Sequence, residues 1–314
     1  MREKVILDLD VGVDDALALL LALNSPEIEV LGVTTVSGNV DVEKTSKNAL
    51  KILEQAKCKE IPVYKGSRKP LLRELVTAEE YHGLDGLGDS GLPEPKLRVR
   101  EKRAVEYIIE EVMENKGVSI VATAPLTNVA LSLLVEPELA KKINRIILMG
   151  GAFKLTPYGI GNVTPVAEFN IYVDPEAAEV VFNSGAKITA IGLDVTTKPD
   201  AIVREDIYNT FSSYSHDGSK LFKRITEKLF GKHKRIELHD PMAVMYSLKP
   251  QLYRVEKYKV DVETTSELTR GETIVNKELK GDIEVAVNVN GEEFLKEFEE
   301  RVIKVDYPLE ICKG

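Results

Sequence analysis

The chain has no tryptophan, only two cysteines, four histidines and two glutamines, and each scarcity narrows what the protein can be. Cys58 and Cys312 lie far apart without Cys-x-x-Cys spacing, so neither a zinc site nor a disulfide framework is expected. No apolar run approaches the roughly 20 residues needed to cross a bilayer. The start MREKVILDLD turns straight into a strand pattern instead of the apolar core of a secretion signal. A soluble, cytoplasmic protein without a membrane partner is the expectation. Basic residues are in deficit, 42 against 51 acidic for a net charge of −9, which argues against a binder of phosphate backbones and removes nucleic acid as a partner. Charged residues at 30% with almost no glutamine are a balance found in proteins from hot environments.

What is present is enough chain, 314 residues, for one large α/β domain. Val5 to Asp8 is an apolar run closed by acid, as a strand buried on both faces should be. Asp14 to Asn24 reads as a helix that Ser25-Pro26 stops, Ile28 to Thr35 as a strand, Val42 to Lys57 as a helix and Ile61 to Tyr64 as a strand. After an irregular stretch from 65 to 100, the alternation resumes: a helix at Glu101 to Asn115, a strand at Ser119 to Ala122, helical pieces at Leu126 to Leu134 and Pro137 to Lys142, and a strand at Arg145 to Met149. A helix at Pro175 to Asn183 and a strand at Lys187 to Ile191 complete the series. Such alternation predicts right-handed crossovers and a mostly parallel central sheet flanked by helices, open and Rossmann-like, with its site at the carboxyl ends of the strands. The last third reads as a polar helix from Phe211 to Lys232, a helix from Pro241 to Leu248, an exposed strand from Tyr253 to Val262, a hairpin-like stretch from Leu268 to Val289 and a closing helix from Glu292 to Lys304. No linker or repeat divides the chain, so residues 1–314 are taken as a single domain with long site loops at about 65–100 and 195–240.

The chemistry begins where the first strand ends. Asp8, Asp10, Asp14 and Asp15 put four carboxylates within eight residues, a crowding that like charges resist unless a cation neutralises it. Oxygen ligands alone select a hard ion, and several carboxylates suit the loose, high coordination of calcium. Capping a helix would need one acid only.

Asp8-Leu9-Asp10-Val11-Gly12-Val13-Asp14-Asp15 resembles the amino-terminal signature of the inosine-uridine preferring nucleoside hydrolases, with Leu9 and Val11 in place of the usual threonine and proline. Further segments similar to that family follow in order: Val36-Ser37-Gly38-Asn39, His82 to Gly88, Ala124-Pro125-Leu126-Thr127-Asn128, Met149-Gly150-Gly151-Ala152, Gly161-Asn162 through Glu168-Phe169-Asn170 to Asp174-Pro175, and His239-Asp240-Pro241. The resemblance spans nearly the whole chain. It implies one calcium ion per subunit held by Asp10, Asp15, the carbonyl of Thr127 and Asp240, with water and two ribose hydroxyls completing the shell. It further implies sugar or substrate contacts at Asp14, Asn39, His82, Met149, Asn162, Glu168 and Asn170. Water held and acidified by the ion would lose its proton to Asp10, while His239 protonates the leaving base. A ribonucleoside is the implied partner, and a dimer or tetramer of like subunits the implied assembly.

The physical reading of these residues agrees. Amides suit ribose because each offers donors and acceptors to hydroxyls that are both. Glu168 and Asn170 stand among Val166, Ala167, Phe169 and Ile171, where a polar side chain needs a partner. His216 and His233 are read as surface or helix-end residues, although His233 lies in an excursion able to close over a base. Tyr214, Phe222 and Phe230 sit on a helix, where an aromatic ring packs more often than it stacks on a ligand. Asp174 before Pro175 reads as a helix cap. Relatives specialised for purines hold the base between tryptophans, absent here, so the resemblance points to the branch accepting pyrimidines or a broad range.

Two other readings remain open. Asp8-Leu9-Asp10 also resembles the paired aspartates of haloacid-dehalogenase-type phosphatases, with Asp8 as phosphoryl acceptor, Asp10 as acid/base and magnesium as cofactor. That scheme gives Asp14, Asp15, Glu168, Asn170 and Asp240 nothing to do. A non-catalytic nucleoside-binding protein would keep the metal and sugar contacts, but intact Asp10 and His239 oppose lost catalysis.

Overall fold

The computed structural model describes residues 2–279, 281–309 and 312. Nine strands form one sheet: β1 (Glu3–Leu9), β2 (Ile28–Thr35), β3 (Val63–Lys65), β4 (Val118–Ala122), β5 (Arg145–Met149), β6 (Ile188–Ile191), β7 (Tyr253–Val262), β8 (Thr273–Asn276) and β9 (Ile283–Val289). Their spatial order is β3-β2-β1-β4-β5-β6-β9-β7-β8. Every pair from β3 to β9 is parallel, and only β7 runs against its neighbours β9 and β8. The expected mostly parallel sheet is therefore present in a single domain. Because the chain builds outward from β1 to β3 and then crosses to β4, the order reverses between β1 and β4. At such a reversal the neighbouring loops diverge and leave a crevice at the strands' carboxyl ends.

Side-chain alternation sends each strand into two cores. Val5, Leu7 and Leu9 face one core with helices Val13–Leu23, Asp217–His233, His239–Leu248 and Gly291–Phe298. Ile6 faces the other with helices Ala104–Glu114, Thr127–Val135 and Pro175–Phe182. Helix Val13–Leu23 is buried along its whole length, which explains why it is apolar on every side except for Asp14 and Asp15. It packs against helix His239–Leu248, and this contact sets the first acidic motif beside the last one.

Several expectations need correction. The stretch 268–289 is not a hairpin, since β8 and β9 both pair with β7, which lies between them. The polar helix expected over 211–232 runs from Asp217 to His233, and a separate helix, Glu205–Phe211, precedes it, so much of the 195–240 excursion is helical. A short helix at Phe169–Val173 was not anticipated; its five residues are too few for periodicity to show. The cysteines are not independent: Cys58 and Cys312 form a disulfide, with Cα atoms 4.9 Å apart. Their pairing across 254 residues is invisible in spacing because it arises when the final segment returns to the end of helix Val42–Gln55, where Lys57 Nζ donates to the Tyr307 carbonyl at 3.2 Å. Among the described residues, no helix is long and apolar enough to cross a membrane.

Candidate active site

A cavity of about 320 Å³ opens at the carboxyl ends of β1, β2, β4 and β5, a size that suits a small organic ligand. Asp14, Asn39, His82, Met149, Asn162, Glu168, Asn170, His239 and Asp240 all line it, so most of the residues singled out in the sequence meet at one place.

The floor is carboxylate. Asp15 Oδ2 accepts from the Gly12 N–H at 2.9 Å and from Asn39 Nδ2 at 3.0 Å, and its Oδ1 accepts from Thr123 Oγ1 at 2.9 Å. Asp10 Oδ2 accepts from the Asn39 N–H at 2.6 Å, while Oδ1 is buried with no hydrogen-bond partner. Asp14, Asp15 and Asp240 bring carboxylate oxygens within 4.8 Å of one another. Burial, reinforced by the charge of Asp15, lifts the Asp14 carboxyl to about 7 and the Asp10 carboxyl well above its ordinary range. Burial and the Asp14 charge do the same to Asp240. Crowded acids with an orphaned oxygen fit a divalent cation: buried charges of one sign need neutralising, and every donor is a hard oxygen.

Backbone close approach makes this packing possible. A Cβ on Gly12 would stand 2.6 Å from both Asn39 Nδ2 and His82 Nδ1, and one on Gly38 would stand inside the Asp10 carboxylate. Val11, where the family signature has proline, is buried, and its carbonyl accepts from Asn48 Nδ2 at 3.1 Å. A hydrogen bond thus holds the turn that a proline ring would have stiffened.

One wall is amide and acid. Asn170 Nδ2 donates to the Thr123 and Met149 carbonyls at 3.0 and 3.1 Å. Glu168 caps helix Phe169–Val173, its carboxylate accepting from the N–H groups of Asn170, Ile171 and Gly151 at 2.8, 3.1 and 3.1 Å. The opposite wall is imidazole. His82 Nδ1 accepts from the Val13 N–H at 3.1 Å, which places its ring proton on Nε2. Burial, with repulsion from His239, depresses it to about 3, so His82 is neutral near pH 7. His239 Nδ1 lies 2.8 Å from Thr196 Oγ1, and burial shifts it downward as well.

Two assignments do not meet the rest. Thr127 begins helix Thr127–Val135, its Oγ1 donates to Asp174 Oδ2 at 2.6 Å, and the residue is not among those lining the cavity. Thr123, which directly follows β4, does line the cavity. Asp8 turns one oxygen, Oδ1, to Thr34 Oγ1 at 2.6 Å and Asn128 Nδ2 at 2.8 Å, and among the described residues its carboxylate shares no hydrogen-bond partner with those of Asp10 or Asp15, which argues against the phosphatase reading that needs it as nucleophile. Asp174 is the helix cap expected, accepting from the Ala177 N–H at 3.1 Å.

The three aromatic residues pack, Phe222 and Phe230 on helix Asp217–His233 and Tyr214 in the short connection before it. Phe222 is fully buried, Phe230 stacks on Tyr208 at 3.7 Å and Tyr214 donates to Glu299 at 2.6 Å. His216 pairs with Asp306 at the surface, but His233 lines the cavity beside Tyr81, with ring centroids 5.3 Å apart. Tyr81, Phe169, Thr197, Arg235 and Glu237 also line it and escaped the sequence reading. A signal for two of them was available: in Arg235-Ile236-Glu237-Leu238-His239 the polar and apolar residues alternate. Ile236 bridges to Val203 in extended conformation, so Ile236 and Leu238 enter the core while the other three face the cavity.

The model for the family described as inosine-uridine preferring nucleoside hydrolase matches residues 5–296. The chain is 44% identical over 284 residues to the pyrimidine-specific ribonucleoside hydrolase RihA of Salmonella paratyphi C, covering 88% of this chain and 89% of that protein. Among solved structures it is similar to a plant nucleoside hydrolase, with a TM-score of 0.91 and 33% identity over 97% of this chain and all (100%) of the other. A purine-preferring ribonucleoside hydrolase from Gardnerella vaginalis superposes with a TM-score of 0.89 at 33% identity, covering 99% of each chain.

Proposed function

Because the chain belongs to the inosine-uridine preferring nucleoside hydrolase family, and so is an N-glycosyl hydrolase, we propose that it hydrolyses ribonucleosides to ribose and free base with calcium as its resident ion. The observation that carries this reading is the convergence of Asp14, Asp15 and Asp240 next to the orphaned Oδ1 of Asp10, between a wall of amides and a wall of imidazoles. Asp10, Asp15 and Asp240 would hold the ion, with Thr123 supplying the neighbouring backbone oxygen. When bound, calcium supplies the positive charge that relieves the carboxylates, draws the 2′- and 3′-hydroxyls of ribose and acidifies water beside the anomeric carbon.

The residues divide the remaining work. Asp10 keeps one oxygen free to take a proton from the attacking water, while Asn39 fixes the other. Asn39, Asn162, Asn170 and Glu168 orient the sugar, and Met149 provides apolar floor. Bond cleavage builds positive charge on the ribose, which the buried acids stabilise, and negative charge on the departing base. His239 supplies a proton there: Thr196 occupies Nδ1, so Nε2 is the nitrogen available to the base. His82, with its proton on Nε2, donates a hydrogen bond without changing charge. A deoxyribose substrate would lose one hydroxyl contact with the ion. The subunits would assemble as a dimer or tetramer, which light scattering on the purified protein tests.

Uridine, cytidine, inosine and adenosine incubated with calcium-replete protein test the activity by release of free base and ribose. Hydrolysis of at least one, lost in Asp10→Ala, is expected. No release from any of them would overturn the reading.

A further inference from the structure

The base end of the cavity carries a charged pair that the hydrolytic chemistry does not use. Glu237 and Arg235 lie on one extended segment, two residues apart, with Arg235 Nε 2.7 Å from Glu237 Oε1. The other carboxylate oxygen, Oε2, receives only a long bond of 3.3 Å from Tyr81 Oη. The Glu237 side chain is 9% exposed and that of Arg235 is 63%, so the acid sits inside the cavity and the guanidinium at its mouth. A carboxylate accepts about four hydrogen bonds, and this one is far from saturated although nearly buried. With Nε engaged, the two terminal nitrogens of Arg235 remain to donate to a ligand.

We propose that Glu237 and Arg235 read the edge of the nucleobase and select bases in which a ring N–H stands beside an exocyclic carbonyl, the lactam edge of uracil or hypoxanthine. This inference rests on the nucleoside hydrolase reading, which places ribose on the carboxylate floor and points the base toward the mouth. The order of the pair along the cavity then decides between base types. In uridine the ring nitrogen lies nearer the sugar than the exocyclic group at C4. The inner acceptor, Glu237, faces the ring N–H, and the outer donor, Arg235, faces the carbonyl oxygen. Cytidine or adenosine reverses both partners: an unprotonated ring nitrogen meets the carboxylate and an amino group meets the guanidinium. Both contacts are then donor to donor or acceptor to acceptor, which a desolvated site tolerates poorly.

The test is kcat/KM with calcium present for uridine, 3-methyluridine, cytidine and p-nitrophenyl riboside, whose leaving group has no such edge. Uridine should exceed both 3-methyluridine and cytidine by at least about 10-fold in the unaltered protein. In Glu237→Gln, whose amide can turn a donor toward the ring nitrogen, the uridine-to-cytidine ratio should fall toward one. Arg235→Gln, at an exposed position, should lower that ratio too, and the methylated substrate needs no variant at all. Equal turnover of uridine, 3-methyluridine and cytidine would overturn the edge-reading while leaving the hydrolase in place. An unchanged ratio in both variants would overturn it equally. Failure to cleave any of the four, p-nitrophenyl riboside included, would overturn the hydrolase reading and this one with it.

Discussion

Asn39 grips Asp10 from one side only: its N–H donates to Asp10 Oδ2 at 2.6 Å and its Nδ2 to the Asp10 carbonyl at 3.3 Å, while Asp10 Oδ1 is buried and unpaired. A carboxylate fixed by one oxygen and free at the other has the geometry of a base and of a ligand together. Asp10→Asn keeps the shape but removes the charge, and it should lower kcat on a cleaved nucleoside by about 10³-fold or more, since base and ion-holding charge are lost at once. A variant within about 10-fold of the parent, below the roughly 10²-fold that proton transfer contributes at least, would remove Asp10 from the mechanism.

The same grip depends on Gly38. Its missing side chain lets the loop after β2 lie against the Asp10 carboxylate and the Pro125 ring, the latter 2.8 Å from where a Cβ would be. Gly38→Ala should displace Asp10 and cost more in kcat than in thermal stability, because the loop can shift but the acid cannot then hold its place. Full activity at an unchanged melting temperature would show that the contact is dispensable.

Stability should depend on pH and on calcium together. Burial holds the Asp8 carboxyl at about 6 and Asp14 at about 7, and moves Asp10 and Asp240 upward also. An unfolded chain releases these protons near pH 3.9, so between about pH 4 and 7 the metal-free fold retains protons that the unfolded state has lost. Its stability is greatest below that window and declines as pH rises through it, by on the order of a few kcal/mol. Calcium held by these acids would take the place of the protons, so the rise in melting temperature it produces should grow from pH 4.5 to pH 7.5 in scanning calorimetry. A calcium effect that is flat or shrinks with pH would contradict the cage.

Leaving-group protonation by His239 predicts a split between substrates. His239→Ala should slow uridine or inosine by about 10²-fold or more, since general acid catalysis contributes on that scale. Cleavage of p-nitrophenyl riboside, whose anion departs unaided, should fall far less. Equal losses on both substrates would give His239 a binding role and not a proton.

The Cys58–Cys312 bond ties the final segment to the end of helix Val42–Gln55, away from the cavity. Cys58→Ser with Cys312→Ser should lower unfolding stability by about 2–4 kcal/mol, the usual range for a structural disulfide, with kcat/KM unchanged. Denaturant unfolding and nucleoside turnover on the same preparation measure both. An unaltered denaturation midpoint would show that the bond contributes nothing to the fold.

The legible parts of the site were those that announce themselves locally. Asp10, Asp14 and Asp15 crowd one strand end, and Asn39, Glu168, Asn170, His239 and Asp240 each stand beside glycine, proline or apolar neighbours that make a polar residue conspicuous. All of them border the cavity or its floor. Thr123 shows the limit of this reading. A turn such as Ala124-Pro125-Leu126 is recognisable and drew attention to Thr127 after it, but Thr123, before it, also lines the cavity, because β4 stops at Ala122. Tyr81, Arg235 and Glu237 were missed because an aromatic or charged residue in a polar stretch looks like ordinary surface until the stretch folds over a pocket.

The alternation of apolar strands and helices by itself determined a parallel sheet with its site at the strands' carboxyl ends, because side-chain period and crossover handedness are local properties of the chain. Acid spacing likewise marked that strand end as a place able to hold a cation. Only tertiary packing decided which groups share the cavity: helix Val13–Leu23 against helix His239–Leu248 brings Asp240 to Asp14 and Asp15, and an extended segment aims Glu237 inward. It decided the disulfide as well, joining residues 254 positions apart. Contacts between distant segments come from the burial of whole helix faces, and no short window of sequence carries that information.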